Sequence, residues 1–197
     1  MGSGSVDFRP RRRDFSTDGK RAGTPWLGMR IAEIKDLNAA LVVGSFLRKD
    51  HPLFAQRLRQ LAKKAGKVSV VSVTGDESLI NLHAQIAVAP RQLASALAEV
   101  LKAAAALRGA VPPAGLEGVE PGEQAKAIAE SLVNGEKKAI FLGNVAEQVE
   151  QAGQLHVLGA ELAKLTGASF GFIGEAANSV GGRSEEHTSE LQSHHDL

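Results

Sequence analysis

The chain of 197 residues contains no cysteine. It can form no disulfide, and this stretch can hold neither an iron–sulfur cluster nor a thiolate metal site. Long hydrophobic runs are also missing. No apolar stretch approaches the roughly 20 residues of a membrane helix, and no basic n-region leads into an apolar h-region. A hydrophobic share of 43% is ordinary for a globular protein. The length predicts one or two domains with a proper apolar core. These features read as a cytosolic chain or a soluble part of a membrane complex, with no direct membrane insertion.

Charge of one sign is scarce too. The chain carries 23 basic and 22 acidic side chains, a formal net charge of +1. The last fifteen residues, "RSEEHTSELQSHHDL" (183–197), break with the rest, because apolar periodicity stops at Gly182. The string resembles a translated sequencing adapter, so it is set aside as an artefact, and the pair His194 and His195 is read as no metal site. The tail holds one arginine and four carboxylates, so removing it leaves 22 basic against 18 acidic residues, about +4. That is too little to imply nucleic acid. The one dense cluster, "RPRRRD" ending at Asp14, has no aromatic platform beside it.

What is present is an alternation of strands and helices. Residues 1–37 read as an irregular lead-in, with Trp26, Leu27 and Met29 expected to anchor it on a core and a short helix or turn at Ile31 to Leu37. "AALVVG" (39–44) reads as a buried parallel strand. Pro52 starts a helix beside Asp50 or His51, and Gly66 is expected to stop it. "KVSVVSV" (67–73) is the second strand, so residues 39–73 form a βαβ unit and the sheet is expected to be parallel. A third strand at 84–89, an amphipathic helix from Arg91 to Gly109 and a Pro/Gly-rich linker at 109–122 follow. Then come a helix at 123–133, a strand at 138–143, one long helix at 145–166 and a last strand at 169–174. The pattern predicts an α/β fold: a doubly wound, mostly parallel sheet with flanking helices over residues 38–182.

Two strand ends echo each other. "ALVVGS" and "AIFLGN" each place a glycine and a small polar residue before a helix. In a doubly wound sheet such turns share one edge, so Gly44, Ser45, Gly143 and Asn144 are candidates to line a single crevice. The remaining polar residues carry less. His51 reads as a cap or core-edge histidine, and His83 and His156 as isolated ones. Asp76 and Glu77 form a turn with no acid–base partner. No nucleophile–base pair, metal spacing or Walker-type loop is visible, so neither catalytic nor metal residues are assigned.

"LVVGSFLRKDHPLFAQRLRQLAKKAGKVSVV" resembles the βαβ unit of the molybdopterin oxidoreductases, which often read G-x-N-P-x-x-x-H-P before a helix and strand. With "TPWLGMRIAEI" and "TGASFGFIGEAANSVGG", it is most similar to the large iron–sulfur subunit of bacterial proton-pumping NADH:quinone oxidoreductase, respiratory complex I. The resemblance covers nearly all of residues 5–182. It implies a fragment of a polypeptide whose iron–sulfur clusters lie outside this chain, and a cofactor-free domain in the peripheral arm that passes electrons from NADH to quinone. It further implies the other peripheral-arm subunits as partners and a place on the cytoplasmic side of the bacterial inner membrane. The departures fit loss of the pterin. Phe46 and Arg48 are bulky where backbone must approach a phosphate. "VTGDE" displaces the expected Asp-Pro-Arg, and "SVDF" stands where active relatives read Asn-Val-Asp-His. On this reading Gly44, Ser45, Gly143 and Asn144 form a vestigial crevice. The alternatives are a fragment of a cofactor-loaded molybdopterin oxidoreductase, such as a formate dehydrogenase or nitrate reductase, and a stand-alone nucleotide-binding module.

Overall fold

A computed structural model describes residues 14, 16, 26–75 and 79–174. Asp76, Glu77, the arginine cluster at 9–13, "SVDF" and the tail with His194 and His195 lie outside the described residues.

Five strands form one all-parallel sheet: β1 (Ala39–Val43), β2 (Lys67–Ser72), β3 (Ala84–Ala87), β4 (Lys138–Leu142) and β5 (Ser169–Phe172). Their spatial order is β3-β2-β1-β4-β5. β1 is central and pairs with β2 and β4, Val43 lying opposite Val71 and Leu142. All five residues of β1 and of β4 are buried, as expected where helices cover both faces of a parallel sheet. The doubly wound α/β architecture read from the sequence is present.

Alternation along β1 divides the core. Ala39, Leu41 and Val43 face α3 (Leu93–Arg108), α4 (Glu123–Asn134) and α6 (Ala152–Thr166). Ala40 and Val42 face α2 (Pro52–Lys63) and a 3-10 helix at Ile31–Asp36. On this second face Phe54 of α2 meets Phe141 of β4 edge-on, with ring centroids 5.0 Å apart. Aromatic pairs favour that geometry because the positive ring edge meets the negative ring face.

Four local expectations are corrected. Trp26 does not anchor the lead-in by its side chain, which is 54% exposed. Its carbonyl instead accepts the Phe172 N–H at 2.8 Å, while Leu27 and Met29 pack on the core. The end of α2 is turned by Ala65, which takes the left-handed φ of 63°, and not by Gly66. The third strand ends at Ala87, just before Pro90, whose ring cannot donate to a ladder. The single helix expected at 145–166 is two, α5 (Asn144–Gln148) and α6, with Val149 extended between them. The break frees the Gly153 amide, which donates to Asp14 Oδ2 at 2.7 Å. A carboxylate at a helix N-terminus is favourable both as a cap and against the dipole. No helix among the described residues is long and apolar enough to cross a membrane.

Replacing Phe141 by Ala removes a fully buried ring from between the layers. The expected cost is about 3–5 kcal/mol in chemical denaturation. Leu53→Ser, at a site 79% exposed, should stay within about 0.5 kcal/mol of wild type.

Candidate functional site

The sheet order determines where a ligand of this fold would sit. Successive strands are added on one side of β1 as far as β3, and then on its other side from β4 onward. The topological switch point therefore lies at the carboxyl ends of β1 and β4. Gly44 and Gly143 follow those strands directly, and the structure brings them together with Ser45 and Asn144.

The two turns touch. The Gly143 N–H donates to the Val43 carbonyl at 2.8 Å, and the Gly44 N–H to the Val71 carbonyl at 2.8 Å. The Gly44 carbonyl then accepts the N–H groups of Val145 at 2.9 Å and Ala146 at 3.1 Å. These amides open α5, and they are the kind of donors a phosphate would need. Here the protein's own backbone uses them. Both glycines are required by this contact. Gly44 has φ 63°, and a Cβ on it would lie 2.6 Å from the Ala146 nitrogen. A Cβ on Gly143 would run into Ser45 Cβ and the Gly44 carbonyl.

Side chains tie the seam further. Asn144 Nδ2 donates to Asp50 Oδ2 at 2.7 Å, while Asn144 Oδ1 accepts the Val145 N–H at 3.0 Å. Asp50 ends α1 (Leu47–Asp50), a single turn between β1 and α2. Asp50 carried no functional reading in the sequence, because its partner is ninety-four positions away. Phe46 and Arg48 lie where the chain turns from β1 into α1. They line a separate cavity of about 170 Å³ beyond the ends of β1, β2 and β3. Ser45, Lys49, Ser72, Thr74, Leu82 and Gln85 also line it. No sequence signal marks this grouping, because it joins three separate segments.

The histidines divide. His51 starts α2, with Nε2 buried and without a hydrogen bond. Burial pushes its pKa below the ordinary value, against a smaller opposing pull from Asp50. His156 packs between Phe170 and Phe172, with centroids 5.5 and 5.4 Å away. At the opposite edge of the sheet, burial and then the Arg108 charge lower the pKa of Lys138. Lys138 Nζ reaches the Val133 carbonyl and Arg108 the Thr166 carbonyl, each near the end of a helix. Cations there complement the helix dipoles. Among the described residues, no group of three His, Asp or Glu side chains could hold a metal.

No family model matches the chain, and no curated protein matches it. Among solved structures it is similar to a chain of the formyltransferase/hydrolase complex FhcABCD from Methylorubrum extorquens, solved with methylofuran. The likeness has a TM-score of 0.48 and 16% identity, over 84% of this chain and 43% of that one. This chain therefore spans less than half of that chain's length. The finding corrects the identification reached from the sequence. The matched structure belongs to a different enzyme system from NADH:quinone oxidoreductase or a molybdopterin oxidoreductase, and no sequence match supports either. Quinone, electron transport and membrane association go with that correction. The longest of the quoted phrases, residues 41–71, is wording that βαβ units share: an apolar strand, a glycine and a Pro-started helix. The likeness itself lends this chain no activity.

Two outcomes follow from the seam and from His51. Gly44→Ala should destabilise the fold by at least about 1–2 kcal/mol from the left-handed backbone alone, read by chemical denaturation, with the Ala146 clash added. As pH falls, the unfolded chain protonates its histidine near the ordinary value of about 6.5, before half-buried His51 does. His51 thus contributes stability above that pH, which is lost as pH falls toward its lowered folded value. Denaturation midpoints of His51→Gln should therefore decline less than those of wild type between pH 7 and 5.

Proposed function

We propose that this chain is a structural α/β domain whose nucleotide-type crevice is closed, and that it turns over no substrate at its switch point. One observation carries the reading: the Gly44 carbonyl accepts the Val145 and Ala146 amides that a phosphate would otherwise occupy. The lengths of the neighbouring helices support it. α1 has four residues and α5 has five, so neither offers the aligned dipole of a long helix to an anion at the seam. Opening the seam for a ligand would break two backbone hydrogen bonds and expose their groups, a cost the ligand must offset.

Isothermal titration of the full chain with guanine and nicotinamide nucleotides tests this. The expected result is no saturable heat and no shift in melting temperature. Saturable binding accompanied by amide chemical-shift changes at Gly44 and Gly143 would overturn the reading in favour of a nucleotide-binding module.

A further inference from the structure

The cavity beyond β1, β2 and β3 is separate from the closed seam, although Ser45 borders both. Its volume is about 170 Å³, close to the roughly 150 Å³ that accommodates one benzene ring in a protein core. Phe46, Leu47, Val70 and Leu82 supply apolar wall. Ser45, Ser72, Thr74 and Gln85 supply polar groups, and Arg48 and Lys49 bring two cations. None of the described lining residues is acidic.

A second observation is independent of the cavity's shape. Ser45 is only 8% exposed, and its Oγ is buried without a hydrogen-bond partner. Buried hydroxyls are rarely left in that state, because the lost hydration is uncompensated. By contrast, the Ser72 hydroxyl already donates to the Thr74 carbonyl at 2.6 Å. Ser45 is thus an unused donor bordering a cavity with cationic side chains in its wall.

We propose that this cavity binds a small organic carboxylate, a short aliphatic chain or a single ring bearing one carboxyl group. The carboxylate oxygens would take the Ser45 O–H and the charge of Lys49, and the hydrocarbon would lie against Leu47, Val70 and Leu82. Inorganic phosphate fits less well, since it has no apolar part to set against those walls. The site adds a binding activity to the structural role proposed above and does not depend on it, because the seam can stay closed while the cavity fills.

Titrating the 197-residue chain with benzoate and with pentanoate, monitored by amide chemical shifts, tests the proposal. Phosphate and the uncharged analogue benzyl alcohol serve as controls. Saturable shifts of the Ser45–Lys49, Ser72 and Gln85 amides are expected with the carboxylates only. Lys49→Glu should weaken carboxylate binding about tenfold or more, the scale of a lost charge-assisted hydrogen bond. Ser45→Ala should weaken binding while raising the melting temperature of the unliganded protein, a pair of opposite effects that general damage to the fold would not produce. Exposed Lys49 provides the decisive variant should Ser45→Ala disturb folding. Absence of saturable carboxylate binding, equal binding of phosphate or benzyl alcohol, or binding indifferent to Lys49→Glu would each overturn it.

Discussion

The contact between the turns after β1 and β4 is the constraint on which the rest depends. The Gly143 N–H meets the Val43 carbonyl, and the Gly44 carbonyl takes two amides of α5. Each such bond is worth only about 1 kcal/mol net. Their importance is geometric. They hold the two central strands in register out to their last residues, and so fix where α1 and α5 begin. Neither contact tolerates a side chain at Gly44 or Gly143. A pair of missing Cβ atoms therefore sets the geometry of the sheet's carboxyl edge.

From that seam the asymmetry of the domain follows. One face of the sheet carries three long helices, with α3 packed against both α4 and α6. The other carries α2, the 3-10 helix at Ile31–Asp36 and the Leu27 and Met29 side chains. The thinner layer places Phe141 against Phe54, a large ring compensating for sparse helical cover. The lead-in is bound into this layer by its backbone, through the Trp26 carbonyl on β5. Trp26 itself can then stay exposed without loosening the segment.

Most of the fold was legible because the signals are local. The β-branched run at Ala39–Val43, Pro52 opening α2, and Gly109 and Gly167 taking left-handed φ at the ends of α3 and α6 are each readable within a few residues. The echo of "ALVVGS" and "AIFLGN" was legible too, because a parallel sheet aligns equivalent strand ends. What escaped was long-range. Asp14 caps α6 from well over a hundred positions away, at a break that helical periodicity concealed. Asp50 bonds Asn144 across the seam, and no spacing rule joins them. The family resemblance misled for the opposite reason. Its words were local, and local wording in a βαβ unit reports fold before function.

The carboxyl edge of this sheet recruits ligands differently from a dinucleotide fold. In such folds the donors are backbone amides at the start of a long helix, set close to a glycine-rich turn. Here α5 gives its first amides to Gly44, and α6 gives its Gly153 amide to Asp14. With the Val145, Ala146 and Gly153 amides paired, the side-chain donors beside the seam include the unpartnered Ser45 hydroxyl and the Lys49 ammonium. Side-chain donors around a small, partly apolar cavity select for a compact anion with hydrocarbon attached, whereas rows of amides select for phosphate. The closed seam and the cavity thus occupy the same edge side by side, on a sheet that supports both.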